Sequence, residues 1–248
     1  MADARRVIAI TGAGGALGAA VSRQLAGEPS TNLVLSDVSA RSLETTVGGL
    51  PESAGPVETI LADVSEFAQV EAVVELAVAR FDRLDVLISN AGVISPNGRI
   101  HNLTTEDWER AFRINVLGAV NGIRAAVPVM RAQQSGSIVL TASVAGLTAW
   151  THAAPYCATK AAVIQLAKVA AVEYARDGIR VNCVCPGTFL SAIHEGLPPE
   201  AIDAMAARHP LGLGSVADLV GAYSYLAGGA SRWTTGSAMV VDGGYSAP

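Results

Sequence analysis

The segment RVIAITGAGGALGAAV, Arg6 to Val21, passes from a β-branched apolar run through a cluster of glycines into residues suited to a helix. A strand that turns on glycine straight into a helix opens a βαβ unit, and the remaining chain repeats that alternation. The runs NLVLSD, VETILAD, LDVLIS, GSIVLTAS, IRVNCV and SAMVVD are each set apart by a helix-length amphipathic stretch, which makes seven strands in all. Strands apolar on both faces and joined by such crossovers predict an α/β fold: a doubly wound, seven-stranded parallel sheet with helices on both faces. Ligands then belong beyond the carboxyl ends of the strands.

The chain has 248 residues, 50% hydrophobic and 16% charged, enough to bury a large core. One domain over 1–248 is expected, because no repeat, linker or low-complexity segment interrupts it. Only Pro186 to Gly214 breaks the rhythm, and it reads as a lid between the sixth strand and the last long helix. Acidic residues outnumber basic ones, 22 to 17, and no Lys/Arg cluster is present, which argues against a nucleic-acid partner. Val7 to Ile10 is too short for an export signal, and no run approaches the about 20 apolar residues of a membrane span, so a cytoplasmic location is expected. Cys157, Cys183 and Cys185 are odd in number and lack metal-site spacing, so reduced thiols and no bound metal are expected.

Gly12, Gly14, Gly15 and Gly18 would let backbone N–H groups approach a pyrophosphate, whose charge the following helix N-terminus favours. Asp37 closes the second strand nineteen residues after Gly18, where its carboxylate could accept hydrogen bonds from a ribose and repel a 2′-phosphate. That position points to NAD rather than NADP. Asp37 is equally suited to forming the turn ahead of Ser39.

In APYCATKAAV, Ala154 to Val163, Tyr156 and Lys160 fall at i and i+4 early in a helix that Pro155 can start and Gly178 can end. An ammonium near a phenol favours the phenolate, so Lys160 is expected to lower the pKa of Tyr156 toward a range useful for proton exchange. Ser143, thirteen residues before Tyr156, is expected to end the fifth strand, where its hydroxyl could hold a substrate oxygen. Asn115, in FRINVLGAV, is an amide within an apolar helical stretch that needs partners and could bend the helix or hold a water.

Together these residues resemble the short-chain dehydrogenase/reductase family in its form of about 250 residues with one Rossmann-like domain. TGAGGALG (Thr11 to Gly18) is similar to the family's TGxxxGxG motif, with Ala16 where the middle glycine is usual. LADV (Leu61 to Val64) is similar to its adenine-contacting segment. SNAG (Ser89 to Gly92) is similar to NNAG, CPGTFLS to PGxxxT with Ser191 in place of threonine, and VDGGYS to the end of the last strand. The resemblance spans essentially the whole chain. It implies cofactor contacts at Gly12, Gly14, Gly15, Ala16, Leu17, Gly18, Asp37, Val38, Asp63, Val64, Asn90, Ala91 and Gly92. Further contacts are implied at Tyr156, Lys160, Pro186, Gly187, Thr188 and Ser191.

It further implies that Tyr156 is the general acid/base, that Lys160 also binds the nicotinamide ribose, that Ser143 orients the substrate oxygen, and that Asn115 holds a water linked to Lys160. The cofactor would carry the hydride. The implied reaction is NAD-dependent interconversion of a secondary alcohol and a ketone. Trp150, Phe189 and His194 join Ser143 and Tyr156 as expected substrate contacts, and the lid holds no Arg or Lys before Arg208, which disfavours a highly charged substrate. Two other readings stand beside this one: an NADPH-dependent reductase of 3-oxoacyl thioesters or other ketones, and a dinucleotide-binding regulator without chemistry. The family also implies a homotetramer that pairs the long helices. Gly118, Ala119, Gly122, Ala161 and Ala162 would permit close helix contact or serve packing on the sheet.

Overall fold

The computed structural model describes residues 5–191, 196 and 198–247. Seven strands form one parallel sheet: β1 (Arg6–Thr11), β2 (Thr31–Asp37), β3 (Val57–Leu61), β4 (Val86–Ser89), β5 (Gly136–Thr141), β6 (Ile179–Pro186) and β7 (Ala238–Val241). Their spatial order is β3-β2-β1-β4-β5-β6-β7, so the winding reverses between β1 and β4. That reversal opens a crevice at the carboxyl ends of the two strands, the place where this class of sheet binds ligands.

Period-two alternation along β1 builds two cores. Val7 and Ala9 face the cluster formed with α3 (Phe67–Phe81), α5 (Gly118–Gln133) and α6 (Ala154–Tyr174). Ile8 and Ile10 face the opposite cluster, formed with α1 (Ala16–Ala26) and α8 (Val216–Ala227). Because both faces are covered, the strands read as continuous apolar runs. The remaining helices are α2 (Ala40–Gly48), α4 (Thr105–Phe112) and α7 (Pro199–Ala206). α7 lies in the segment expected as a lid. His194, an expected substrate contact, and its neighbours Ile193 and Leu197 lie outside the described residues.

Two local details depart from the sequence reading. β5 stops at Thr141, so Ser143 lies two residues past the strand as the cap of a short 3₁₀ turn and not as its last residue. β3 likewise stops at Leu61, before Asp63. Between α4 and α5, Arg113–Leu117 forms a π turn centred on Asn115, a one-residue widening of the helix. No described helix is long and apolar enough to cross a membrane.

Candidate active site

The glycine turn between β1 and α1 is shaped mostly by the protein itself. Gly12 has φ +64°, and a Cβ on Gly18 would lie 2.1 Å from the Gly12 carbonyl oxygen. A Cβ on Gly15 would meet only that oxygen, at 3.5 Å. Thus Gly18 serves the packing of the turn, while Gly15 leaves room in front of the α1 N-terminus. That end has no side-chain cap and no acidic residue in its first turn, so the leading N–H groups at Ala16, Leu17 and Gly18 fit the pyrophosphate of a dinucleotide.

Asp37 forms the turn expected of it and also holds the glycine loop. Its Oδ1 accepts from the Ser39 N–H at 3.0 Å, forming the turn into α2, and its Oδ2 accepts from the Gly14 N–H at 2.9 Å. A carboxylate has about four acceptor positions, so two backbone bonds leave capacity for ribose hydroxyls. Val38 beside it is largely exposed. Asp63 Oδ1 caps the Ser65 N–H, and Val64 is buried with its carbonyl accepting from Asn121 Nδ2 at 2.9 Å.

The SNAG segment closes the other side of the crevice. Thr11 Oγ1 accepts from the N–H groups of Asn90 and Ala91 (3.1 and 3.3 Å), and Asn90 Nδ2 donates to the carbonyls of Thr11 and Gly12 (3.3 and 3.0 Å). Asn90 Oδ1 in turn accepts from Thr141 Oγ1 at 3.2 Å, which ties β4 to the end of β5. Gly92 packs against Asn115 and Lys160: a Cβ there would sit 3.2 Å from Asn115 Oδ1 and 3.4 Å from Lys160 Nζ.

Ser143, Tyr156, Lys160 and Asn115 converge beside that crevice. Lys160 is 4% exposed, and its Nζ donates to the Thr141 carbonyl at 2.8 Å. Burial lowers its pKa to about 8. Asn115 exchanges two bonds with the Val93 backbone (2.8 and 2.9 Å) and donates to Thr159 Oγ1 at 3.0 Å; Thr159 donates to the Tyr156 carbonyl at 2.8 Å. The π turn therefore serves to aim one amide at two segments of the site.

The phenol corrects one expectation. Burial pushes the Tyr156 pKa up, the Ser143 hydroxyl opposes this only in part, and Lys160 does not bring it down. The physical reason is geometric: Lys160 Nζ is 5.7 Å from the ring centroid and is turned to the Thr141 carbonyl, and it too is disfavoured as a charge. The phenol stays protonated at neutral pH, while Lys160, although its charge is disfavoured by burial, is still mainly the ammonium below about pH 8.

The residues expected to contact substrate differ in their placement. The Trp150 ring lies 6.2 Å from Tyr156 and 6.2 Å, edge-on, from Tyr245. Phe189, expected to line the same wall, packs instead against the α1/α8 core and bridges to Gly214, and it has no ring contact with Trp150 or Tyr156 among the described residues. Pro186 ends β6 in the core's edge, Gly187 donates to the Val241 carbonyl, and the Thr188 N–H donates to His209 Nε2 at 3.2 Å; Ser191 follows as a described residue. Accepting at Nε2 leaves His209 with its proton on Nδ1, toward the Met205 carbonyl at 2.9 Å. The site contacts of Tyr245, His209, Thr159 and Thr141 were not legible: Tyr245 and Thr159 fall inside the quoted VDGGYS and APYCATKAAV stretches, but the contacts themselves are tertiary. Among the described residues no cluster could hold a metal ion, and the three cysteines are free thiols.

A family model described as enoyl-(acyl carrier protein) reductase, of the short-chain alcohol dehydrogenase type, matches residues 12–246. The chain belongs to the short-chain dehydrogenase/reductase family, whose members bind nicotinamide dinucleotides. It is 36% identical over 247 residues to the cis-4-hydroxycyclohexanecarboxylate dehydrogenase of Sinomonas cyclohexanicum, covering 99% of this chain and 98% of the relative. The NAD+-bound xylitol dehydrogenase is similar in structure, with a TM-score of 0.91, 29% identity, and 96% of this chain and 98% of that one covered. The NADP-bound ElxO is similar to the same degree, at TM-score 0.91 and 27% identity over 98% of this chain and 100% of that one. Its relatives include dehydrogenases and reductases of secondary alcohols and ketones.

Proposed function

We propose that this chain is an NAD-dependent dehydrogenase that interconverts a secondary alcohol and its ketone. The observation that carries this reading is the gathering of Ser143, Tyr156, Lys160 and Asn115 at the mouth of the β1/β4 crevice: Ser143 bonds the phenol, Asn115 reaches the Tyr156 carbonyl through Thr159, and Lys160 is held on the Thr141 carbonyl. The dinucleotide, when bound, supplies the hydride acceptor or donor. Gly15 and the α1 N-terminus would receive its pyrophosphate, Asp37 and Val38 its adenosine ribose, Asp63 and Val64 its adenine, and Lys160 with Thr188 and Ser191 its nicotinamide half.

On the protein side, Tyr156 holds the proton that the substrate oxygen gains or loses. Its raised pKa keeps the phenol protonated at neutral pH, which suits donation to a ketone oxygen; alcohol oxidation needs the phenolate and therefore gains with rising pH. Ser143 fixes the substrate oxygen against Tyr156, and Asn115 steadies the helix and the Val93 segment around both. Asp37 favours NAD because a 2′-phosphate would stand against its carboxylate. The same reading includes a homotetramer in the cytoplasm.

The test follows nicotinamide absorbance for wild type and Tyr156→Phe, each with NAD and NADP and a panel of open-chain and cyclic secondary alcohols and their ketones. Wild type is expected to turn over with NAD, and the variant to lose about a hundred- to ten-thousandfold in kcat while still binding NADH. Near-normal turnover by Tyr156→Phe removes the phenol from the reaction. A wild-type preference for NADP favours the ketone-reductase reading instead, and NADH binding without turnover of any panel member favours a regulator.

A further inference from the structure

We infer that Arg208 reads a carboxylate at the far end of the substrate, so that the alcohol is a hydroxy acid; this rests on the dehydrogenase reading of the site. Aromatic contacts run outward from the phenol: Tyr156 to Trp150, Trp150 to Tyr245, and Tyr245 to Arg208, whose guanidinium carbon lies 4.9 Å from the Tyr245 ring centroid. Arg208 Nη2 also donates to the Tyr245 hydroxyl. A stacked face and a bonded edge hold the guanidinium in one orientation at the end of this wall, which is preorganisation that a freely mobile surface arginine lacks.

Among the described residues no carboxylate lies within ion-pair distance of the Arg208 guanidinium. Asp242, the acidic residue nearest Tyr245 in sequence, is engaged by the Gly244 and Ser246 N–H groups and the Ser246 hydroxyl. Among the described residues the fork spends one donor, on Tyr245, and retains N–H groups enough for a bidentate carboxylate.

The wall therefore carries the Tyr156 phenol at one end and, at the other, a guanidinium with no carboxylate partner among the described residues. An apolar chain or ring with an alcohol and a carboxylate matches that order.

The experiment compares secondary hydroxy acids with their methyl esters. The series runs from 4-hydroxycyclohexanecarboxylate to long-chain (ω−1)-hydroxy fatty acids, with wild type, Arg208→Gln and Arg208→Lys. Wild type is expected to favour at least one acid over its ester by more than about tenfold in kcat/KM. Arg208→Gln should abolish that preference mainly through KM, and Arg208→Lys should keep an intermediate part of it, since charge survives but the fork does not. Equal use of acids and esters by wild type, or an undiminished preference in Arg208→Gln, overturns the inference while leaving the dehydrogenase reading intact. Calorimetric titration of the same acids into the NADH-loaded proteins gives a readout independent of turnover. Binding lost in Arg208→Gln supports the carboxylate site even if the dehydrogenase reading fails, and absence of binding to wild type overturns it.

Discussion

Lys160 is a cation held out of water. Its pKa falls from 10.5 to about 8 because the folded chain buries it, and that difference corresponds to roughly 3 kcal/mol of preference for the neutral amine. Between pH 8 and 10.5 the unfolded chain binds more protons at this site than the folded one, so this residue makes stability rise with pH through that window. Below pH 8 the whole penalty is present. Lys160→Met is therefore expected to melt above wild type at pH 7 and to lose that advantage as the pH is raised toward 10.5. Melting curves at several pH values check this, and a pH-independent gap would show that the charge is not the cause. Such an exchange of stability for a working group is common at reactive sites. The four residues of the set were singled out from local signals: a polar residue near a strand end, an i, i+4 pair, and an amide within an apolar helical stretch. The direction of the Tyr156 pKa could not, because it depends on burial by segments far along the chain.

At the scale of elements, the glycine turn shows which positions are constrained by the fold and which are free for a ligand. Gly18→Ala drives a methyl into the Gly12 carbonyl and is expected to cost at least about 1–3 kcal/mol, whereas Gly15→Ala should stay within about 1 kcal/mol. Thermal or denaturant unfolding of the two variants decides it; equal losses would mean that the turn relaxes around either methyl. The sequence alone assigned all four glycines to the cofactor, since composition cannot tell a close approach of protein from one of ligand. The small residues of α5 carried a similar ambiguity. Gly118 packs on Val64, where a Cβ would come within 2.7 Å of the valine side chain, so at that position packing within the chain explains the glycine. The seven strands and their crossovers were legible because burial on both faces leaves continuous β-branched runs. The π turn was not, since one extra residue in a helix leaves no periodicity of its own; only the misplaced amide of Asn115 hinted at it.

At the scale of the whole molecule, apolar side chains remain uncovered on α6 and near β7. Val172 is 81% exposed, Trp233 97%, and Val169 and Val240 are each close to half exposed. Burial of such residues favours association, and the proposed homotetramer would cover them by pairing copies of α6. Val172→Glu is expected to shift the species seen by sedimentation velocity toward smaller assemblies, because four like charges would be brought to helix contacts. A variant that sediments as wild type does would place Val172 outside the contact.

The order of the sheet gives the seam between Thr11 and Asn90 a mechanical meaning. Among the described residues, the early and late halves of the sheet are joined by the pairing of β1 with β4, from Ile8 with Val86 to Thr11 with Ser89. The glycine turn belongs to one half and the Tyr156–Lys160 helix to the other. A tear along this line would carry the two halves of the reaction machinery apart, and Thr11 and Asn90 are the stitches at the end where it would start. Any molecule lying across the mouth of the crevice thus grips both sides of the seam, and in filling the site it also fastens the sheet.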